Sequence, residues 1–276
     1  MYHLMMKKLL KTSPAKLNLF LYVVGRDKRE YHILQSLFCT IPDLYDIISF
    51  EQSNKLEVIS NIKNNIIEKA ARSCGVNNLK ISLDKKIPIG SGLGGGSSNA
   101  ATTLIEIGRN LNLTKEELIN KNIGDDVKFF LYEKNAIYFD SDQSYEVNLG
   151  ISLHLVLVIP DFSIATQDVY DVMRDKISNI DELSVNKLPA LDKELLKFYI
   201  FNGVNQLYPF TKVIEPRITN VINEISTQQG VLVSRMSGSG SSCFGIFDSY
   251  DNAIYARTII QENNPKWKID YFNLKI

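Results

Sequence analysis

Residues 88–101 read Pro-Ile-Gly-Ser-Gly-Leu-Gly-Gly-Gly-Ser-Ser-Asn-Ala-Ala, between a strand-like run and a helix-like run. Because glycine has no side chain and readily adopts positive φ, several backbone N–H groups in such a segment can converge on one anion. Ser97 or Ser98 is expected to cap the helix that follows, whose N-terminal dipole end also attracts negative charge. The segment therefore predicts a phosphate-binding loop.

Other interpretations of this glycine segment fit the sequence less well. Five glycines are more than a plain connecting turn needs. Gly90, Gly92 and Gly95 formally satisfy the G-x-G-x-x-G dinucleotide fingerprint, but that motif requires a second strand with an acidic residue after the helix. Instead, Thr114-Lys-Glu-Glu117 predicts another helix start with a capping box. A Walker-type loop is disfavoured as well, since no Gly-Lys-Ser/Thr follows the glycines.

Composition describes a globular protein without a strong charge bias. The chain has 276 residues, 45% of them hydrophobic, which is enough for one large or two modest domains. Lysine plus arginine and aspartate plus glutamate each number 31, so no nucleic-acid or membrane partner is indicated. Three cysteines without a C-x-x-C pattern indicate neither a disulfide framework nor a zinc site. The N-terminal residues lack a signal-peptide core, and we expect a cytoplasmic protein.

Periodicity and turn residues predict an α+β chain with a domain boundary near Gly150, hence domains 1–150 and 151–276. In the first half they predict strands over 17–24, 31–41, 46–50, 56–60 and 79–87, helices over 64–73 and 99–110 and after 114, and a hairpin over 135–149. In the second half they predict strands over 152–159, 231–234, 243–247 and 267–274, and helices over 167–175, 192–201, 213–226 and 251–262. This second half suits a sheet backed by helices.

Three segments together resemble one family. The glycine segment resembles the ATP-phosphate loop of the GHMP small-molecule kinases. Pro14-Ala-Lys-Leu-Asn-Leu-Phe-Leu21, with Tyr31-His32 ten residues on, resembles the opening motif of that family, and Met236-Ser-Gly-Ser-Gly-Ser-Ser-Cys-Phe-Gly245 resembles its third motif. The three lie in the order of the family and cover most of the chain. The resemblance implies a first domain like ribosomal protein S5 domain 2 and a ferredoxin-like second domain.

The resemblance also implies a catalytic pair. Asp126 in Gly-Asp-Asp-Val-Lys-Phe-Phe matches the catalytic aspartate of the family, and Lys16 matches the lysine beside it. An ammonium there orients the carboxylate and stabilises charge on the acceptor oxygen. The chain departs from the family pattern at Asp125 and Lys128, where alanine and proline are usual. Without the resemblance, Asp126 would be read as a solvated acid in a turn.

The remaining site residues are carried over position by position. Those implied to bind ATP are Asn65, Pro88, Gly90, Gly92, Leu93, Gly94, Gly95, Gly96, Ser97 and Ser98. Those implied to bind the acceptor substrate are Asn18, Tyr31, His32, Thr166, Tyr170, Ser237, Gly238, Ser239 and Gly240. A structural role is the alternative for the aromatic residues, and a plain hairpin turn is the alternative for the third motif.

The function implied is ATP-dependent phosphorylation of the 2-hydroxyl of a cytidine-diphosphate-linked methylerythritol in the non-mevalonate route to isoprenoids. The partner is thus a small molecule, and Mg²⁺ is expected only with ATP, because no side-chain cluster has fixed-metal spacing. Two alternatives stay open: a GHMP kinase for another small alcohol, such as homoserine or mevalonate, and a GHMP-fold sensor that binds without turnover. Tyr31, His32 and Tyr170 favour an acceptor that carries a nucleobase.

Overall fold

Apolar runs form strands and amphipathic runs form helices along most of the chain. The computed structural model describes residues 8–26, 32–62, 65–140, 143–176 and 192–276. Within them the strands are β1 (Leu9–Arg26), β2 (His32–Gln52), β3 (Glu57–Ile59), β4 (Leu79–Asp84), β5 (Ala136–Asp140), β6 (Gln143–Glu146), β7 (Ser152–Ile159), β8 (Val231–Met236), β9 (Cys243–Phe247) and β10 (Lys268–Lys275). The helices are α1 (Ile66–Ser73), α2 (Gly95–Leu111), α3 (Lys115–Ile119), α4 (Asp125–Leu131), α5 (Thr166–Lys176), α6 (Lys193–Asn202), α7 (Tyr208–Ile214), α8 (Ile218–Ser226) and α9 (Tyr250–Asn263). The predicted α+β class is confirmed.

Contacts between Cα atoms divide the chain into two units. Unit 1 contains Met1–Lys16, Ile41–Ile89 and Gly94–Lys134, and unit 2 contains Leu17–Thr40, Gly90–Leu93 and Asn135–Ile276. The units are therefore discontinuous in sequence, and the glycine segment contributes to both. The division into domains 1–150 and 151–276 stays a prediction. None of the helices in the described parts of the chain is long and apolar enough to cross a membrane.

Unit 1 combines a small sheet with a layer of helices. The last part of β2 pairs antiparallel with β4 over Ile47–Gln52, and β3 runs parallel to β4. Helix α1 packs against α2, and α2 packs against α4. The buried cluster between these elements consists of Ile48, Phe50, Ile67, Ala71, Ile81 and Ile107. This core holds α2, and with it the start of the glycine-rich helix, against the sheet.

Unit 2 contains a four-stranded antiparallel sheet in the order β10-β7-β9-β8. The almost entirely apolar strand β7 lies inside this sheet, paired with β10 on one side and with β9 on the other. Helices α8 and α9 pack on the sheet and bury Val221, Ile225, Ala256 and Ile260. The predicted helix-backed sheet of the second half is confirmed. Also in unit 2, the first part of β2 pairs with β5 over Gln35–Cys39, and β5 pairs with β6.

Among the predicted element boundaries that are wrong, two involve a proline. The two strands predicted over 31–41 and 46–50 form the single strand β2. Pro42 lies between the segment that pairs with β5 and the segment that pairs with β4, so its missing N–H interrupts neither of these two ladders. The helix predicted over 213–226 is instead α7 followed by α8. Pro216 interrupts the helix and leaves Glu215 in an extended conformation, with φ −134° and ψ 85°.

Candidate functional site

The glycine segment enters α2 earlier than predicted. Helix α2 begins at Gly95, and its N-cap is Gly94, a left-handed residue with φ 66° and ψ 17° that makes no side-chain capping bond. The expected serine cap is therefore wrong: the hydroxyl of the fully buried Ser98 instead accepts a hydrogen bond from Ser13 at 2.8 Å. The first turn of a helix leaves its N–H groups without intrahelical acceptors. Here that turn consists of small residues, which lets a ligand approach the amides closely.

Lys16 and Asp126 meet beside this turn within unit 1. Lys16 Nζ lies 3.3 Å from Asp126 Oδ2, and the lysine side chain is 4% exposed whereas that of the aspartate is 35% exposed. A Cβ atom on Gly94 would lie 2.8 Å from Lys16 Cγ and 2.9 Å from its Cε. Only glycine therefore fits over the lysine stem. The structure brings together the two residues of the predicted catalytic pair and Gly94, and it exposes the carboxylate rather than the ammonium.

A buried acid that the sequence analysis missed supports the same turn. Asp46 in β2 is completely buried, and its Oδ2 accepts hydrogen bonds from Lys85 Nζ at 2.6 Å and Asn99 Nδ2 at 2.8 Å. Its Oδ1 accepts from the backbone N–H groups of Lys86 at 2.7 Å and Ile87 at 2.8 Å. One carboxylate thus holds the residues just before the glycine segment and the first turns of the helix after it. The signal in the sequence was an acid directly before the apolar pair Ile47-Ile48 in a predicted strand.

Lys85 connects this acid with the glycine segment. Burial lowers the pKa of the Lys85 ammonium, and the hydrogen bond and charge of Asp46 raise it in part. A Cβ atom on Gly95 would lie 2.6 Å from Lys85 Nζ and 2.9 Å from Ile87 Cγ2. The ammonium therefore lies directly against the backbone of the first helical turn, where it adds positive charge to the N-terminus of α2.

Asn65 and Pro88 also belong to unit 1. Asn65 is the N-cap of α1, since its Oδ1 accepts from the N–H of Ile67 at 3.0 Å, and its Nδ2 donates to Ser60 Oγ at 2.9 Å. The start of α1 lies beside the start of α2, because a Cβ atom on Gly96 would be 3.9 Å from Ile66 Cγ2. Pro88 lies between β4 and the glycine segment. Because the N-termini of the two helices lie side by side, Asn65 lies near the predicted phosphate loop.

In unit 2 the third motif holds residues 90–92 of the glycine segment. Ser237 Oγ donates to the carbonyl of Gly92 at 3.3 Å and accepts from the backbone N–H of Asn18 at 3.2 Å. The N–H of Ser242 donates to the carbonyl of Ser91 at 3.0 Å. Gly92 has φ 74°, and a Cβ atom there would lie 2.8 Å from the carbonyl oxygen of Gly240. The third motif is therefore packed against the glycine segment, which a plain hairpin turn would not require.

Two residues that were not predicted from the sequence donate hydrogen bonds to the main chain of the third motif. The buried Asn205 donates from Nδ2 to the carbonyls of Met236 at 2.8 Å and Gly238 at 2.7 Å. Thr211 Oγ1 lies 3.2 Å from the carbonyl of Ser239, to which it donates. Both side chains are neutral. No sequence pattern marks them, because they are distant in the chain from the residues that they hold.

The predicted acceptor-binding residues of unit 2 lie in two groups. Thr166 Oγ1 is 2.8 Å from Ser239 Oγ, so α5 begins at the third motif. The rings of His32 and Tyr170 stack directly, with centroids 4.9 Å apart and planes at 19°. Tyr31 lies outside the described residues. Leu93, which was predicted to bind ATP, is fully buried.

A fixed metal site is not found in the described part of the chain, where no three His, Cys, Asp or Glu side chains form a group able to hold a metal ion. The described polar groups around the glycine turn instead suit a ligand that brings its own negative charge: amides, glycines and the two lysines, Lys16 and Lys85.

Comparison with known proteins identifies the family of this chain. The chain matches the GHMP kinases N terminal domain over residues 59–134 and the GHMP kinases C terminal domain over residues 188–266. It is 32% identical to the 4-diphosphocytidyl-2-C-methyl-D-erythritol kinase of Psychromonas ingrahamii, over 92% of this chain and 89% of that protein. It is 29% identical to the enzyme of the same name from Anaplasma phagocytophilum, over 96% of this chain and 94% of that protein.

A solved structure agrees at the level of the fold. The crystal structure of a 4-(cytidine 5'-diphospho)-2C-methyl-D-erythritol kinase matches this chain with a TM-score of 0.75 at 24% identity, covering 97% of this chain and 100% of the other. The GHMP kinase fold predicted from the three motifs is confirmed. The chain belongs to the GHMP kinase family, and within it to the group of the 4-diphosphocytidyl-2-C-methyl-D-erythritol kinases.

Proposed function

We propose that this protein is an ATP-dependent kinase that phosphorylates the 2-hydroxyl of 4-diphosphocytidyl-2-C-methyl-D-erythritol, a step of the non-mevalonate (MEP) pathway to isoprenoid precursors. The relatives from Psychromonas ingrahamii and Anaplasma phagocytophilum carry that activity in their names. The observation that carries the proposal is the pair formed by Lys16 and Asp126 beside Gly94. A binding protein without turnover would have no need of a lysine and an aspartate so arranged.

In this proposal Asp126 accepts the proton of the acceptor hydroxyl. A general base needs access to its substrate, and the partly exposed carboxylate of Asp126 has it. Lys16, held almost fully buried under Gly94, fixes the carboxylate from one side and stabilises negative charge that develops on the acceptor oxygen. The acceptor is a tertiary alcohol, which is hindered and weakly acidic. Positioning of the hydroxyl and acceptance of its proton therefore both matter.

The glycine segment would hold the phosphates of ATP, which supplies the phosphoryl group and brings Mg²⁺ with it. The left-handed turn at Gly94 and the amides of Gly95, Gly96 and Ser97 give the close backbone approach that a phosphate needs. Lys85 adds positive charge at the first turn of α2. Asn65, at the start of the neighbouring helix, is assigned to the adenine side.

Residues of unit 2 would bind the acceptor. The stacked rings of His32 and Tyr170 offer an aromatic surface for a cytosine ring, and Tyr31 is assigned to the same base. Thr166 and the third motif, from Ser237 to Gly240, offer hydroxyl groups and backbone amides. Asn18 is assigned to the acceptor as well. Because His32 and Tyr170 lie face to face at 4.9 Å, a base would stack on an outer face of this pair rather than between the two rings.

An assay of ADP release over a panel of acceptors tests the proposal. With full-length protein, ATP and Mg²⁺, we expect turnover with 4-diphosphocytidyl-2-C-methyl-D-erythritol and background rates with homoserine and mevalonate. Turnover with homoserine or mevalonate instead would assign the protein to another alcohol within the same family. ATP binding without turnover of any acceptor would favour the sensor function. The Asp126→Asn protein is the matched control, since it should bind ATP and release no ADP above background.

A further inference from the structure

A cavity of about 290 Å³ lies in unit 1 at the carboxyl ends of α1 and α2. It is lined by residues 74–79, which follow α1, by Asn110 and Leu111 at the end of α2, and by Phe50 of β2. The amino ends of both helices lie together at the glycine turn, as the position of Gly96 beside Ile66 shows. A helix of 17 residues spans ~25 Å. The cavity therefore lies at the far end of α2 from the proposed phosphate site and shares no residue with it.

The walls of the cavity are largely apolar and rest on the core of unit 1. Phe50 and Ile107 are members of the buried cluster, and Val76, Leu79 and Leu111 pack against it. Sites for small molecules are typically apolar concave surfaces with a few polar groups that orient the ligand. This cavity has that composition, with side-chain amides at its edge and one carboxylate in its wall.

The carboxylate belongs to Glu106, which is 6% exposed and lines the cavity. Two cations contact the same oxygen of this group: Arg109 Nη1 lies 2.6 Å and Lys11 Nζ lies 3.2 Å from Oε1. The second oxygen, Oε2, takes part in neither ion pair. Arg109 also pairs with Glu133, whose Oε1 lies 2.8 Å from Arg109 Nη2. The two cations around Glu106 are therefore balanced by two carboxylates. A carboxylate oxygen of a largely buried residue in the cavity wall is thus available to a donor.

The carboxyl ends of two helices also favour a ligand that carries a hydrogen-bond donor. The C-cap of α1, Cys74, and the last residue of α2, Leu111, both line the cavity, which places it in the field of two helix carboxyl ends. The last carbonyl groups of a helix carry partial negative charge, which attracts positively polarised N–H groups. We propose that this cavity is a second binding site, for a small and mostly apolar molecule that bears an amino or amide group whose N–H donates to Glu106.

Cys74 makes the proposal directly testable. Its thiol is half-buried and lies in the cavity wall, whereas Cys39 and Cys243 are 1% and 0% exposed. Burial also raises the pKa of the Cys243 thiol, so it forms little of the reactive thiolate. Disulfide exchange with small disulfide-bearing fragments under partly reducing conditions should therefore modify Cys74 alone. The full-length Cys74→Ser protein is the control for the position of the adduct.

The decisive comparison uses two aromatic fragments on the same disulfide linker, one with an amino group and one with a methyl group in its place. Mass spectrometry should show a single adduct, with the amino fragment enriched about tenfold, as expected for a hydrogen bond to a charged group. Glu106→Gln should remove most of that preference and keep labelling by both fragments. Leu111→Trp, which fills the cavity without touching Glu106, should abolish enrichment of both fragments over a linker without a ring.

Each outcome decides the proposal. Equal labelling by the amino and methyl fragments in the native protein would overturn the assignment of Glu106, whether or not Glu106→Gln folds. Fragment enrichment that persists in a folded Leu111→Trp protein would overturn the cavity as the binding site, and circular dichroism establishes folding for each variant. The readout does not depend on kinase activity, so a failure here leaves the proposed function untouched and the reverse also holds.

Discussion

Two segments of small residues, Gly94–Ser98 in unit 1 and Ser237–Ser242 in unit 2, have nearly the same composition but different surroundings. The first lies against charged groups: Lys16 packs under Gly94, and Lys85 lies against Gly95. The second is held by neutral hydrogen bonds, among them those donated by Asn205. Glycine and serine provide close backbone packing in both segments. The two segments differ in the residues packed against them, which are charged in the first and neutral in the second.

The difference matters for energetics as well as for chemistry. A buried ion pair that loses one partner leaves an unpaired charge, which costs more than the loss of a neutral hydrogen bond. Charges also act on the reacting groups at a distance, whereas neutral donors act on the main chain that they contact. Substitutions behind the first segment should therefore have larger effects than matched substitutions behind the second.

The largest effect is expected from Asp126→Asn. General bases contribute about 10²–10⁴-fold to rates. The kcat value should therefore fall by a factor within or beyond that range, while the affinity for ATP stays nearly unchanged. Asp125→Ala, which introduces the residue usual in the family, is the control and should retain most activity. Steady-state kinetics with calorimetry of ATP binding measure both. An inactive Asp125→Ala protein beside an active Asp126→Asn protein would reverse the assignment.

Asp46→Asn tests the buried charge behind the first segment. We expect the free energy of unfolding to fall by about 3–5 kcal/mol, because the change removes the fully buried carboxylate and leaves the partly buried Lys85 ammonium without its partner at 2.6 Å. Asp84→Asn is the matched control: its ion pair with Lys86 is exposed, so the loss should be at most about 1 kcal/mol. Urea unfolding followed by circular dichroism compares them. Equal losses in the two variants would contradict the central place given to Asp46.

The same variant should show a characteristic pH dependence. Burial lowers the pKa of Lys85, and Asp46 partly offsets this, so Asp46→Asn should lower that pKa further. A lysine whose pKa is lower in the folded state destabilises that state most at pH values below the folded pKa. The penalty fades as pH rises from there towards the ordinary lysine pKa. The stability difference from the native protein should accordingly be largest near neutral pH and shrink in alkaline solution.

Gly95→Val tests close packing within the first segment. The new side chain would collide with Lys85 Nζ and Ile87 Cγ2, which lie 2.6 and 2.9 Å from an ideal Cβ, and it would block approach to the amides. The ATP dissociation constant should rise markedly, with about 1–3 kcal/mol lost in stability from overpacking. Gly96→Ala is the control for the loss of stability alone, because the nearest neighbour of its new Cβ would be 3.9 Å away. Unchanged ATP affinity in a folded Gly95→Val protein would refute the phosphate-loop assignment.

Asn205→Ala makes the corresponding test behind the second segment. It removes the donors to the carbonyls of Met236 and Gly238, so about 1–3 kcal/mol of stability should be lost. Asn202→Ala removes an exposed bond to Phe198 and should change stability by less than about 0.5 kcal/mol. If thermal and urea unfolding gave a greater loss for Asn205→Ala than for Asp46→Asn, the contrast between charged and neutral support would be wrong.

The smallest effect is expected from Tyr170→Ala, which removes one ring from the stack with His32. Base stacking on aromatic side chains is worth ~1–3 kcal/mol in nucleic-acid complexes, so the affinity for the acceptor should fall by about 5- to 150-fold, whereas the affinity for ATP should change little. Tyr255→Ala, at an exposed tyrosine of α9, is the control. Equal losses for acceptor and ATP would contradict the base-binding role, as would equal use of a uridine analogue.

Local sequence was sufficient wherever a structure depends on neighbouring residues. The capping box of Thr114 and Glu117 was predicted and is present at the start of α3. The place of Asn65 at a helix start was predicted as well, because N-cap chemistry is confined to a few consecutive residues. The start of α2 was predicted too late, since the low helix propensity of glycine is overridden here by packing of the first turn against Lys85 and Ile87.

The sequence by itself determined the α+β class, the glycine turn, the family and the two candidate catalytic residues, because each depends on residue types in a short pattern. Only the tertiary structure decided that Lys16 is buried under Gly94, that Asp46 holds both ends of the turn, and that Asn205 holds the third motif. These contacts join residues that are more than thirty positions apart in the chain. Their partners are selected by burial and hydrogen-bond geometry, which no local pattern records.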